Sequence, residues 1–369
     1  MLRIFCSPAR YVQGAGATDE LAAQLAHLGQ GARTLVITSK SPRRVLEPVW
    51  RQSFAARNFE MDIFDFGGEC SRAEISRGVA AAQRFKATMI VGAGGGKTLD
   101  MARAVAGALE LPIACCPTTA ASDAPCSALS VIYTEVGVVE KIQYFRRNPD
   151  LVLVDSAVII RAPVRTFVAG MGDALATYFE ARACAAAGKA NVLGGAPTLA
   201  AMAIAELCYR TLITDGCAAL AAARDGVVTP AFENVVEANT LLSGLGFESG
   251  GLATAHSVHN GLTALPETHD FMHGEKVAIG VLTQLMLEEH EPALLDEVYG
   301  FCLSVGLPVT LVEIGLGAFS RAQALAVATR WLADGESAHN EPFAVRPDRL
   351  ADAILAADRY GRSFRDKSA

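Results

Sequence analysis

Four of the seven histidines lie within eighteen residues, at His256, His259, His269 and His273. Imidazole is the commonest side-chain metal ligand, and it is also an ordinary hydrogen-bonding group. Taken singly, each histidine reads as a hydrogen-bonded or solvated residue. Taken as a cluster, they read as a metal site. His256 and His259 are i and i+3 on a helical stretch, so they share a face. His273 opens the next helical stretch, and a connection of roughly ten residues brings it back beside His256. The carboxylate to set beside them is Asp173, inside the apolar run Val168-Ala169-Gly170-Met171-Gly172-Asp173-Ala174-Leu175. A buried unpaired aspartate needs a cation or several donors, whereas an N-capping aspartate needs neither. One Asp and two neutral His on a divalent ion leave a net charge of +1 and open positions, which suits catalysis better than a closed structural site.

Substrate charge is also legible. No Lys or Arg occurs between Asp225 and Glu275. A phosphorylated substrate at the histidines would lack its usual cationic clamps, so a neutral polyol or ketone fits better.

A second constellation is Val91-Gly92-Ala93-Gly94-Gly95-Gly96-Lys97-Thr98-Leu99-Asp100. The apolar run ending Met89-Ile90-Val91 leads into it and an alanine-rich segment to Leu109 leads out. Strand, glycines, then helix puts backbone N–H groups where a pyrophosphate can sit, and the glycines permit φ > 0. A Walker A loop would need Gly at Val91, and the G-x-G-x-x-G fingerprint would need Gly at Lys97. Two readings stand: a phosphate-cradling loop of a less common kind, or a tight structural turn.

The elements that must position these groups follow from periodicity. Helical spacing at 18–28, 41–56, 71–85 and 98–109 alternates with strand-like runs at 34–38, 61–66, 88–91 and 112–116, implying a parallel sheet covered on both faces. Ligands of such sheets bind outside the carboxyl ends of the strands. Stretches 129–133 and 138–144 resemble a hairpin, and 151–154 closes the sheet. From about Pro163 onward the pattern is helical: 171–186, 196–212, 217–224, 232–245, 252–262, 275–288, 293–305, 321–333 and 347–360. The expected architecture is an α/β dinucleotide-binding domain over 1–160 with a parallel Rossmann-like sheet, then an all-α metal- and substrate-binding domain over 161–369. The cleft between them is the default ligand site.

Composition excludes several classes. The 369 residues are 51% hydrophobic and 19% charged, enough for two sizeable cores. A net charge of −7 without a basic block argues against a nucleic-acid or anionic-membrane partner. The N-terminus lacks the apolar core of a signal peptide, and no apolar run is long enough to span a membrane. Nine cysteines without a C-x-x-C pair read as reduced thiols of a cytoplasmic protein.

Several stretches together resemble the glycerol dehydrogenase branch of the iron-containing (group III) alcohol dehydrogenase family. They are Phe66-Gly67-Gly68-Glu69-Cys70-Ser71, Gly94-Gly95-Gly96-Lys97-Thr98-Leu99-Asp100, and the run from Ser122-Asp123-Ala124-Pro125-Cys126-Ser127 to Tyr133. The second half adds Gly172-Asp173-Ala174-Leu175-Ala176, Gly246-Phe247-Glu248-Ser249-Gly250-Gly251, His256-Ser257-Val258-His259-Asn260-Gly261 and His273-Gly274-Glu275-Lys276-Val277. The similarity spans roughly residues 5 to 360 and implies a dehydroquinate synthase-like architecture. It further implies one zinc ion per subunit on Asp173, His256 and His273, and NAD contacts at Gly96, Lys97, Thr118, Ser127, Leu129 and Tyr133. Ser39, Gly95 and Asp100 complete the expected cofactor set. Asp123 matches the position that contacts glycerol hydroxyls, so Asp123 and His256 are the expected catalytic residues. The implied reaction is reversible oxidation of glycerol to dihydroxyacetone in a homo-oligomer, commonly an octamer.

Ser39 departs from the family pattern, which usually has Asp there to accept from the adenosine ribose and repel a 2′-phosphate. Without that carboxylate, Lys40, Arg43 or Arg44 could pair with the phosphate of NADP. Ala121 is a lesser departure, where relatives usually carry Ser. Rival readings are a dehydrogenase of another vicinal diol or a 2-hydroxy acid, a lyase, and a non-catalytic binding protein. The lyase would need phosphate clamps near the histidines. The binding protein would predict a gap in the metal trio or the glycine loop.

Overall fold

A computed structural model of the chain describes residues 1–29 and 33–368. The chain divides into two compact units. One comprises Cys6–Pro163 and Gly226–Val228, and the other Met1–Phe5, Val164–Asp225 and Thr229–Ala369.

The first unit is α/β. Its strands are β1 (Tyr11–Gln13), β2 (Arg33–Thr38), β3 (Glu60–Asp65), β4 (Met89–Gly94), β5 (Ile113–Pro117) and β8 (Leu151–Val154) in one sheet, with β6 (Leu129–Tyr133) and β7 (Val139–Tyr144) as a separate antiparallel hairpin. The sheet order is β1-β8-β5-β4-β2-β3, and every neighbouring pair is parallel. All residues of β4, β5 and β8 are buried, as strands covered on both faces must be, whereas edge strand β3 is mostly exposed or half-buried. The sequence suggests that 151–154 closes the sheet; three-residue β1 instead pairs outside it, too short to show a period. Helices α1 (Leu21–Leu25), α2 (Lys40–Ala55), α3 (Arg72–Phe85), α4 (Gly96–Leu109) and α5 (Ser156–Ile159) complete the unit. Trp50 and Phe54 of α2 pack with Leu21, Leu25, Val36, Val91 and Leu153 in one core.

The second unit is helical: α6 (Val164–Ala186), α7 (Leu199–Asp225), α8 (Pro230–Glu237), α9 (Ser243–Gly250), α10 (Thr254–Leu262), α11 (His273–Leu287), α12 (Pro292–Val305), α13 (Arg321–Trp331) and α14 (Pro347–Ser368). Two expected helices, 196–212 and 217–224, are one helix. Gly216 does not break it, because the Phe301 ring fills the space a Cβ would need. The expected helix 232–245 runs on through a π turn at Ala238–Leu242 to Gly250. Gly246 and Gly250 stay helical there because they lie against Thr177 and Ala181 of α6. The first five residues join this unit through Ile4 N–H to the Ala196 carbonyl at 3.2 Å and Ala196 N–H to the Leu2 carbonyl at 2.7 Å. Among the described residues, no helix is long and apolar enough to cross a membrane.

Asp100 and Arg103 on α4 form a buried ion pair at 2.6 Å. Arg103 also donates to the Ala124 carbonyl at 2.6 Å, and Ser130 Oγ donates to the Asp100 carbonyl at 2.9 Å, so the pair ties the hairpin to the sheet layer. Arg103→Met leaves Asp100 buried and unpaired, and should cost about 3–5 kcal/mol of stability. Urea unfolding should show a lower midpoint at unchanged slope.

Candidate active site

Three helices of the second unit bring Asp173, His256 and His273 together. Their candidate ligand atoms lie within 4.8 Å of one another, the grouping expected from the sequence. His273 Nε2 is 3.0 Å and His256 Nε2 3.5 Å from Asp173 Oδ1. Asp173 sits in the middle of α6, 1% exposed, and so is not a helix N-cap. The convergence depends on backbone contact. A Cβ at Gly274 would overlap the Ala169 carbonyl oxygen, one at Gly172 the Gly274 carbonyl oxygen, and one at Gly280 the Ala255 carbonyl oxygen.

The outer nitrogens of both imidazoles are engaged. His256 Nδ1 lies 2.5 Å from Glu180 Oε2, and His273 Nδ1 lies 2.9 Å from His259 Nε2, whose own Nδ1 reaches Asn260 Oδ1 at 3.2 Å. The carboxylate requires His256 to carry its proton on Nδ1, which leaves the Nε2 lone pair for a cation. A run of Nδ1–H donors from His273 to His259 to Asn260 does the same for His273. His259 therefore orients His273 and is not grouped with the ligand trio. His269 is apart, its Nε2 on the Thr263 carbonyl at 3.1 Å.

The electrostatics suit a cation. Burial raises the Asp173 pKa, but His273 and His256 outweigh it and hold the carboxyl well below its usual range. Burial lowers His256, but Glu180 and Asp173 drive it well above the ordinary histidine value. His259 is driven well below that value by burial and by His273 and His256. Two buried carboxylates beside two imidazoles form an electron-rich pocket, and two nitrogens plus one oxygen fit a divalent ion of zinc or iron type. The cation-free stretch ends at buried Lys276, whose ammonium pKa burial lowers.

Glu180 is the functional residue the sequence reading did not single out. The signal was present: a second acid in an apolar helix, seven residues after Asp173 and so on the same face.

In the first unit a cavity of about 540 Å³ opens at the carboxyl ends of the parallel strands. Ser39, Gly95 and Thr118 line it, with Gly16, Ser41, Thr119 and Asp155. The four glycines of the loop divide by role. A Cβ at Gly92 would be 2.6 Å from Ala102 Cβ, and one at Gly94 2.6 Å from Thr98 Oγ1, so these two permit strand–helix packing. At Gly95 and Gly96 nothing would come closer than 3.8 Å. None of the four takes a left-handed φ; the space they leave, not an unusual backbone, explains them.

Other expected cofactor residues are placed elsewhere. Gly96, Lys97, Ser127, Leu129 and Tyr133 are not in that lining. Lys97 Nζ donates to both Glu69 oxygens at 2.6 and 2.7 Å and lies 4.7 Å from the Tyr133 ring centroid. Ser127 is buried, its Oγ donating to the Ala124 carbonyl, and Leu129 opens β6. Asp123 precedes the 3-10 turn Ala124–Cys126. Asp100, also expected at the cofactor, is buried with its carboxylate held by Arg103. Arg43 is bound to Glu47 at 2.8 Å and Asp65 at 2.5 Å.

Gly274→Ala should separate α6 from α11, lowering stability by about 1–3 kcal/mol or more and depressing divalent-metal stoichiometry. Gly317→Ala, where the nearest atom is 3.5 Å away, should change neither. Thermal unfolding and metal analysis of both variants check this.

Comparison with known proteins agrees with this architecture. A family model described as iron-containing alcohol dehydrogenase matches residues 8–156. A glycerol dehydrogenase of Escherichia coli O6:H1 is 47% identical over 364 residues, covering 99% of each chain. A glycolaldehyde reductase of Halobacterium salinarum is 46% identical, covering 100% of each. The crystal structure of glycerol dehydrogenase from Schizosaccharomyces pombe, 38% identical, superposes with a TM-score of 0.93 over 99% of this chain and 93% of that one. The chain is an oxidoreductase and belongs to the iron-containing alcohol dehydrogenase family.

Proposed function

We propose that this enzyme is a zinc-dependent polyol dehydrogenase that oxidises glycerol reversibly to dihydroxyacetone with NAD. The observation that carries the reading is the convergence of Asp173, His256 and His273, with Glu180 and His259 setting the imidazole tautomers. The names of the relatives support glycerol as substrate. Asp173, His256 and His273 would hold one zinc ion, which when bound acts as a Lewis acid and lowers the pKa of the substrate hydroxyl. NAD would bind at Ser39, Gly95 and Thr118 and supply the hydride acceptor. In the balanced reaction C2 loses hydride, the C2 hydroxyl loses its proton to solvent, and a C=O bond forms. Glu180 and His259 accept the Nδ1 hydrogens of His256 and His273, so that each imidazole would offer Nε2 to the ion once any proton there is displaced, and Asp123 would orient a terminal hydroxyl. His259 is occupied by His273 Nδ1, so the proton leaves through water. The enzyme works as a cytoplasmic homo-oligomer in this reading.

His256→Ala and His273→Ala should each abolish zinc retention and turnover, and chelation of the wild type should do the same reversibly. Full activity in either variant refutes the ligand set. The Halobacterium relative favours a second reading, reduction of a small hydroxyaldehyde. Initial rates with glycerol, 1,2-propanediol, lactate and glycolaldehyde separate the two. Dominant glycerol turnover is expected, and dominant glycolaldehyde reduction overturns the substrate but not the site.

NADP is the alternative cofactor because Ser39 brings no negative charge to the cavity. Of the cations after it, Arg43 is engaged by Asp65 and Glu47, leaving Lys40 and Arg44. The expected kcat/KM favours NAD by several hundredfold. Parity between the cofactors would overturn the NAD assignment.

A further inference from the structure

Helix α10 carries His256 in its first turn, so the groups that hold that turn decide where the imidazole sits. Each opening N–H has a side-chain acceptor. Ala253 and His256 N–H donate to Glu180 Oε1, both at 2.9 Å, and Ala255 N–H donates to Gln284 Oε1 at 3.1 Å. Thr254 donates both its N–H, at 3.2 Å, and its hydroxyl to Glu341 Oε1. Glu180 and Gln284 stand on α6 and α11, which also carry Asp173 and His273. Glu341 does not. It follows the 3-10 turn Ser337–Asn340 and lies 87 residues from Thr254 in sequence.

Glu341 is 3% exposed, and its Oε2 has no hydrogen-bond partner among the described residues. Burial, and then the neighbouring Glu288, push its carboxyl up to about 8. Burial thus favours the neutral acid, which can cap a buried helix start without a counter-cation. An ionised carboxylate there would stand beside the like charges of Glu288 and Glu180.

We propose that Glu341 is a positioning residue for the metal-holding helix, its Oε1 fixing Thr254 and so aiming His256 at Asp173. This rests on the metal reading of Asp173, His256 and His273. The test is zinc affinity of the full-length apo-protein, measured by competition with a chromophoric chelator, with circular dichroism as the control for folding. Glu341→Ala should raise the zinc Kd about tenfold or more, as loss of an outer-shell support does. Glu341→Gln retains the acceptor oxygen and should stay within about threefold of the wild type. A folded Glu341→Ala protein with wild-type Kd overturns the proposal, as does a Gln variant as weak as the Ala variant. If Glu341→Ala does not fold, Thr254→Val removes one of the two donors to Oε1; a raised Kd supports the proposal and an unchanged one overturns it. A wild-type chain that takes up no zinc removes the metal reading and this inference with it, a result distinct from wild-type uptake unaffected by the variants.

Discussion

The close approach of α6, α10 and α11 is the constraint on which the site depends. Gly274 lies against the Ala169 carbonyl, Gly172 against the Gly274 carbonyl, and Gly280 against the Ala255 carbonyl. A methyl group at any of these positions would force the helix axes apart. Asp173, His256 and His273 each project from one of the three helices, so any separation moves the donors apart. The site is therefore held by main chain on main chain, which is stiffer than side-chain packing because carbonyl groups have no rotamers to yield.

That stiffness has an electrostatic cost. Asp173 and Glu180 are both buried on α6, and a buried carboxylate without partners is expensive. Each is offset locally. Asp173 is bracketed by two imidazoles, while Glu180 accepts from His256 Nδ1 and from two N–H groups of the α10 start. The α10 N-terminus, with its partial positive charge, is an apt partner for a buried acid. Arg165 extends the pattern, gripping Glu275, which in turn accepts from Met272 N–H at the start of α11 beside His273. Side-chain acceptors thus hold the starts of both α10 and α11, the helices that carry His256 and His273.

The α/β unit solves a different problem. Its glycine loop makes room on both sides of one turn: Gly92 and Gly94 let α4 settle on β4, and Gly95 and Gly96 leave the open side clear. The tight-turn reading of that stretch describes Gly92 and Gly94, while Gly95 and Gly96 leave the room that a phosphate cradle would need. The lysine in the same motif is not free, since Glu69 and the Tyr133 ring hold it, and a cofactor phosphate would compete with that carboxylate for the ammonium.

The sequence by itself determined the class of both units. Continuous apolar runs bounded by turns mark a parallel sheet, and 3.6-residue periodicity marks the helical half. The donor trio was legible because two histidines and a buried aspartate are rare enough to stand out against an apolar background. Tertiary structure decided what periodicity cannot encode. Gly216, Gly246 and Gly250 are helical because Phe301, Thr177 and Ala181 occupy the space beside them, although glycine taken alone argues for a break. Strand β1 exists only because β8 offers it an edge. Glu341 meets the start of α10 across 87 residues. Each of these rests on a contact distant in sequence, and local spacing carries no information about which distant group will arrive.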